Sequence, residues 1–373
     1  MKITDVKPTT VNMPYSESFS SSIGSRSGTT RTIVEVFTDR GIVGIGETFL
    51  GELTRRLIEK ITPDVIGLDP FDLEHIYKKL KMTPFFYGYT GFAAIAGIEM
   101  ACWDIMGKQT NTPLSKLIGG QIKDRIDITG LLTSNTQPGE SKIDAVSRVA
   151  NHIRNTYGFT TLKLKGSRDW RSDVEIMRAL ADVHGDKVKL RVDPNWAWTV
   201  QESFYAVKAL LDTPLEWLED PTEGIEGMAR LRKDFPILLA TNMCVVKFDE
   251  VPPAFRAGAV DVILGDPHKW GGILPTKKLA AACEILHLGM GLHSGGELGI
   301  STAAYLQIVA STPVINHAID SLYYLLEDDV ITEPLIIEEG KIRLPEGPGL
   351  GIDLDREKLE KYAALNEKEG DYS

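Results

Sequence analysis

Residues 187–195 read KVKLRVDPN, residues 214–221 PLEWLEDP and residues 236–244 PILLATNMC; each run is a short apolar strand ending in an oxygen-bearing side chain, Asp193, Glu219 or Asn242. The three ends lie 26 and 23 residues apart, room for one strand, one helix and two loops per unit. Working outward with that period, we read strands near 126–132, 161–165, 189–193, 214–219, 237–242, 261–266, 288–293 and 314–319. Helical patterns such as SKIDAVSRVANHIRNTY and SDVEIMRALADVHG separate them. Eight such units over roughly 200 residues predict a closed parallel barrel. Periodicity alone leaves an open α/β sheet as the alternative.

The flanks have a different texture. Residues 31–38, RTIVEVFT, alternate as a strand, Asp39, Arg40 and Gly41 signal a turn, and IVGIGET resumes the strand, which predicts a hairpin. From Leu53 the spacing becomes helical, and GFAAIAGIEMACWDIMGKQT reads as a buried helix. We therefore expect an α+β capping domain over residues 1–125, a barrel over 126–325 and a segment, 326–373, that returns to the cap with a short hairpin and a charged helix. A chain of 373 residues suits two such domains.

Composition excludes several functions. No apolar run reaches the roughly 20 residues that span a bilayer, and the N-terminus lacks the charged-then-apolar order of a signal peptide. A formal net charge of −11 without a Lys/Arg-rich cluster argues against nucleic-acid binding. Cys102, Cys244 and Cys283 are odd in number and sit in apolar runs, as free thiols in a reducing compartment do. A cytoplasmic homo-oligomer acting on a small molecule is the expectation.

In a parallel barrel all strand C-termini open on one face, so the polar residues ending different strands converge there. Asp193, Glu219 and Asn242 are hard oxygen ligands suited to Mg²⁺. The second strand carries Lys163 and Lys165 on one side, and two neighbouring ammonium groups lower each other's proton affinity, one way to make a lysine base. The sixth and seventh strands end in Asp266 and His293, so that Asp266 could hold one imidazole nitrogen and leave the other free. His268 stands either beside Asp266 or simply in the loop. The eighth ends in Asp320, another carboxylate at the rim.

The stretches LKLKG, RVDPNWAW, WLEDP, LLATNM, GDPHKW and GLHS, in that order, resemble the enolase superfamily of the mandelate racemase and muconate lactonizing enzyme type, with closest similarity to its glucarate dehydratase-like branch. The hairpin, IEMACWDIMGK, PLSKLIGG and GKIRLPEGPGLGIDLD resemble that family's capping domain. The resemblance implies a modified TIM (β/α) barrel, Mg²⁺ on Asp193, Glu219 and Asn242, Lys165 as one base and His293 with Asp266 as the other. It further implies Lys163 at the substrate carboxylate, Asn195 near the substrate and Asp320 at a substrate contact. The implied activity is a Mg²⁺-dependent acid-sugar dehydratase: an α-proton is removed, an enediolate is stabilised and a β-hydroxyl leaves to give a 2-keto-3-deoxy acid. Alternatives are a racemase or epimerase using the same two bases, and a ligand-binding homologue without catalysis. Two positions depart from the branch: Gly295 stands where an asparagine is usual, and Leu322 replaces a histidine. Both place glucarate itself in question. The Ser- and Gly-rich stretch Ser16–Thr30 is expected to close over the mouth as a loop.

Overall fold

Alternation along the barrel strands decides which side chains reach the lumen. In the computed structural model, which describes residues 1–372, the strands are β4 (Arg125–Leu132), β5 (Thr161–Lys165), β6 (Lys189–Asp193), β7 (Leu215–Glu219), β8 (Leu239–Thr241), β9 (Val262–Gly265), β10 (Gly289–Leu292) and β11 (Ile319–Asp320). Consecutive strands from β4 to β10 pair in parallel. The ring closes because β11 pairs in parallel with β4, and Ile315 bridges to Met290 on β10. A helix fills each gap between successive strands, and among the described residues no barrel helix follows β11. The predicted last strand, 314–319, is shorter and later than expected: only Ile319 and Asp320 pair regularly.

Leu162, Leu164, Leu190, Val192 and Leu218 join helix residues such as Met177 and Leu210 in the main core. The intervening positions Lys163, Arg191, Trp217 and Glu219 are also buried. Along β5 to β7 the lumen thus holds buried charge, while Trp217 packs with Ala240, Val262 and Leu264 in a small apolar cluster of its own. Three of the barrel helices begin at the side-chain caps Ser141, Asp169 and Thr199; Thr199 and Glu202 form a reciprocal capping box at Val200–Leu210, satisfying amides that would otherwise be unpaired. Thr199→Ala is expected to cost about 0.5–2 kcal/mol of stability, read as a lowered denaturation midpoint.

The cap is an antiparallel sheet, β1 (Ile3–Ser21), β2 (Gly24–Thr38) and β3 (Val43–Thr48), covered by the helices Gly51–Val65 and Thr83–Thr110. Gly44 and Gly46 allow the long helix to lie directly on β3; a Cβ at either would collide with the carbonyl oxygens of Ala101 or Gly97. Two buried cap acids seat this domain on the barrel by receiving free amides at helix N-termini. Glu99 accepts from Ile273 and Leu274 N–H at 2.7 and 2.8 Å, and Glu47 from Leu298 and Ser301 N–H at 2.9 and 2.8 Å.

The tail divides. Its hairpin, β12 (Ile337–Glu338) and β13 (Lys341–Arg343), pairs antiparallel with β4 of the barrel rather than with the cap. The rest of the tail meets the cap: Leu326 bridges Tyr15 on β1, Gly349 bridges Pro113, and the helix Arg356–Glu369 packs on β1.

The stretch Ser16–Thr30 is not a loop but the end of the β1/β2 ribbon. Its register breaks between Pro14, opposite Gly28, and Phe19, opposite Arg26, and a bulge of this kind bends a ribbon. The bent tip docks on the barrel: Ser22 Oγ donates to Pro194 O at 2.7 Å, Asn135 Nδ2 to Ser18 O at 2.8 Å and Arg26 to Gly295 O at 3.3 Å.

Candidate active site

Between the ribbon tip and the C-terminal ends of the barrel strands lies a cavity of about 520 Å³, within the usual range for small-molecule sites. Lys165, Asn195, Asn242, Lys269 and His293 line it. Asp193 and Glu219, the last residues of β6 and β7, stand with Asn242, the first residue after β8, all buried. Backbone strain marks these strand ends: Asn195, Trp196 and Asp220 have φ of 53°, 63° and 39°, sparsely populated values for residues other than glycine that cluster at functional sites. Asp220 accepts from Thr241 Oγ1 at 2.6 Å and from Asn242 N–H at 2.7 Å, which fixes the turn carrying Asn242. Burial pushes that carboxyl up to about 6.

The two strand lysines differ. Lys165 Nζ lies 2.6 Å from Asp193 Oδ2 and lines the cavity. Lys163 is fully buried beneath it, donating to Glu219 at 2.9 and 3.2 Å and to Asp320. Burial alone would lower the Lys163 ammonium, but the carboxylates of Asp320, Glu219 and Asp193 raise it. This is the reverse of mutual lysine repulsion: each ammonium has carboxylates as its nearest charges. Lys163 and Asp320, expected from sequence at substrate contacts, lie outside the cavity lining and pair with each other instead. Arg191, unremarked in the sequence reading, braces this layer from below. Its Nε donates to Glu216 at 2.7 Å, Nη1 to Thr129 Oγ1 at 2.8 Å, and the guanidinium sits 3.7 Å over the Trp217 ring.

Across the barrel, the ends of β9 and β10 bring Asp266 and His293 together, Oδ2 to Nδ1 at 3.3 Å. Proton bookkeeping fixes the tautomers. Arg31 can only donate, and its Nη2 stands 3.2 Å from His268 Nε2. That nitrogen is therefore an acceptor, and the His268 proton sits on Nδ1, 3.0 Å from Asp266 Oδ1. The same oxygen accepts from His268 N–H and Tyr305 OH, each at 2.9 Å. Burial opposes ionisation of Asp266, but the hydrogen bonds from His268 and His293 hold it well below the usual carboxylate range. Its second oxygen is left for His293, so Nδ1 of His293 carries the proton and Nε2, which has no hydrogen-bond partner among the described residues, presents its lone pair to the cavity. Burial, and next the nearby Lys269 ammonium, push the His293 imidazole down to about 4.

Lys269 also escaped the sequence reading, although it lies within the quoted GDPHKW. Its Nζ reaches Asn242 Oδ1 at 2.9 Å and Asn242 O at 3.1 Å. The signal was a lysine two residues before the Gly271 that ends the short helix Pro267–Trp270; for Arg191 it was a charge in mid-strand, two residues before Asp193.

The donor set fits a divalent cation. Asp193 and Glu219 are two fully buried carboxylates; burial and then Asp193 raise the Glu219 carboxyl, the sign of negative charge short of compensation. Asn242 Nδ2 points to Glu219 Oε1 at 2.6 Å, so ligation through its oxygen requires the amide to turn. A second group, Asp266, His268 and Glu297, also brings ligand atoms close. It is built around the Arg31 guanidinium, which already supplies the cation.

Comparison with known proteins gives the family and agrees with the fold. The family model for the mandelate racemase / muconate lactonizing enzyme N-terminal domain matches residues 3–119, and the enolase C-terminal domain-like model matches residues 145–358. The chain belongs to the mandelate racemase / muconate lactonizing enzyme family. It lies near the family's glucarate dehydratase branch: a probable glucarate dehydratase of Streptomyces coelicolor is 36% identical over 89% of this chain and 84% of that protein. Among solved structures, an enolase described as a putative sugar isomerase from Streptomyces coelicolor superposes with a TM-score of 0.97 at 50% identity, covering 100% and 99% of the two chains. An enolase from Thermobispora bispora, crystallised with magnesium and formate, superposes with a TM-score of 0.91 at 33% identity, covering 99% and 94%. Racemases, epimerases and cycloisomerases match as well, at 27–29% identity.

Proposed function

We propose that this family member is a magnesium-dependent acid-sugar dehydratase, a lyase that removes the proton α to a carboxylate and expels the β-hydroxyl to give a 2-keto-3-deoxy acid. The observation that carries the reading is the His293/Asp266 pair facing Lys165 across one cavity beside a buried oxygen-ligand trio. The α-proton of a carboxylate is weakly acidic, because its loss places a second negative charge on the carboxylate. When bound at Asp193, Glu219 and Asn242, a magnesium ion would stabilise that charge.

The chain's own residues do the rest. Lys165 stays close to the developing charge, and Lys163 offsets Glu219 and Asp320 below it. His293 Nε2 accepts the α-proton, and Asp266 stabilises the imidazolium that results. A β-hydroxyl on the same face then takes that proton and leaves as water, with the electron pair of the broken C–H bond forming the double bond. The enol ketonises to the 2-keto-3-deoxy product. Asn242, an amide in place of a third carboxylate, leaves the site one negative charge poorer, which favours an anionic substrate.

A racemase or epimerase is the second reading, favoured by Lys165 and His293 both lining the cavity. Incubation with Mg²⁺ and a panel of aldonic and aldaric acids separates the two. Keto acid supports dehydration, an α-epimer without keto acid supports racemisation, and a panel recovered unchanged supports a ligand-binding homologue.

The pH dependence follows from the imidazole. A base must be unprotonated, so activity is lost as pH falls through the pKa of His293 in the folded protein. With that value near 4, the acid limb of kcat/KM should fall well below the ~6.5 of an ordinary histidine. A limb at or above 6.5 would contradict the buried, neutral His293.

A further inference from the structure

The cavity has two unlike sides. Over β5 to β9 it offers Lys165, Asn195, Asn242 and Lys269. The side over the ends of β4 and β11 is formed by Leu131, Leu322 and Phe19 of the ribbon. These three pack with Tyr15 into a small hydrophobic cluster separate from the main core. The backbone there is closed too: Tyr324 OH accepts from Leu131 N–H at 3.1 Å and donates to Leu131 O at 2.8 Å, while Leu322 O accepts from Leu325 N–H at 2.9 Å. That wall presents hydrocarbon, and the cavity-lining hydroxyls nearest it in sequence are Ser21 and Ser25 at the ribbon tip, outside the cluster of Leu131, Leu322 and Phe19.

We propose that the substrate's end remote from the reacting carboxylate is apolar: an aldonic acid whose terminal carbon is a methyl group, in place of a hydroxymethyl or a second carboxylate. This rests on the proposed function, which sets the reacting carboxylate on the side of Asp193, Glu219 and Asn242 and so directs the chain of the acid across to β4 and β11. A terminal hydroxyl pressed against Leu131, Leu322 and Phe19 loses its water without gaining a partner, and a terminal carboxylate loses more. Arg26 is the competing feature, since it lines the same cavity. Its Nη1 donates to Gly295 O at 3.3 Å, and the guanidinium lies 5.7 and 5.8 Å from the Phe19 and Tyr15 ring centroids, contacts that secure the ribbon to the barrel.

The test uses pairs of aldonic acids of one configuration differing only in the terminal hydroxyl, together with the matching aldaric acids, over several configurations and with Mg²⁺. The terminal-deoxy acid of the accepted configuration should be favoured in kcat/KM by about 10- to 100-fold. The same order should appear in Kd, measured calorimetrically, for the Lys165→Ala/His293→Asn variant, which separates recognition from turnover. Leu322→Asn should narrow the ratio, whereas Leu322→Ala, still apolar, should keep the preference and raise KM. Equal or better use of the hydroxylated acid overturns the inference. So does a preference for the aldaric acid that is lost in Arg26→Gln, because the remote end is then read as an anion. If no acid in the panel is converted or bound, the dehydratase reading fails and this inference fails with it.

Discussion

His293→Asn is expected to lower keto-acid formation from substrates of one α-configuration by about 10²- to 10⁴-fold, the usual contribution of a positioned general base. Asparagine keeps a polar group near the Asp266 carboxylate but cannot accept the α-proton. The loss should fall on kcat and kcat/KM together, because the proton is in flight only in the transition state. Lys165→Ala should instead abolish reaction of the opposite α-configuration, with a larger effect on binding, since Lys165 also neutralises Asp193 at 2.6 Å. The faces are distinct because β5 and β10 approach the cavity from different sides of the barrel. If both variants keep full activity toward both configurations, the two-base assignment is wrong.

The second large effect is one of stability. Arg191→Ala removes the cation that meets Glu216 at 2.7 Å and lies 3.7 Å from Asp320, and strips the face of Trp217, all inside the barrel. Glu216 keeps Lys189 and His317, and Asp320 keeps Lys163, so the loss is expected at the lower end of the roughly 3–5 kcal/mol for breaking a buried pair, measured as a fall in the chemical or thermal denaturation midpoint. Adding Glu216→Gln should recover part of the loss, because the carboxylate that faced Arg191 most closely is gone and the two changes share one network. A single variant within about 0.5 kcal/mol of the parent, the scale of ordinary surface substitutions, would show that the lumen tolerates unpaired charge. Activity should fall as well, since Asp320 then competes differently for Lys163 directly under the cavity.

Which parts of this arrangement the sequence discloses depends on whether the signal is local. The strands ending at Asp193, Glu219 and Asn242 are readable because a short apolar run, a polar terminus and a turn residue recur at nearly constant spacing. Closure rather than an open sheet depends on β11 meeting β4, a pairing of two residues between segments some 190 positions apart, which no local pattern carries. The same limit explains the tail hairpin, whose partner β4 lies about 215 residues upstream. It also explains the ribbon: Ser- and Gly-rich composition reads as loop, yet the register across the bulge and the contacts to Pro194 and Gly295 hold it extended.

Among the site residues, spacing places Lys163 and Lys165 on one face, but only depth along the strand separates a lysine in the cavity from one sealed below it. Lys163 sits one step further down β5, level with Arg191 on β6, where its neighbours are carboxylates. His268 shows a second kind of gap. Its sequence position two residues after Asp266 suits either a loop or the dyad, and the choice is made by Arg31 and Tyr305, which arrive from the cap and from the helix Gly299–Ala310. Long-range hydrogen bonding of this sort leaves no periodic trace in the chain.

The central claim is that these residues take a proton from the carbon next to a carboxylate, and proton NMR in D₂O measures that step directly. With Mg²⁺ present, the α-proton signal of an accepted acid should be replaced by deuterium or lost with dehydration. That washout should disappear when the metal is chelated and in the Lys165→Ala/His293→Asn variant. Full retention of the α-proton by every acid that binds the Mg²⁺-loaded protein, or washout at an unchanged rate in the double variant, would contradict the account.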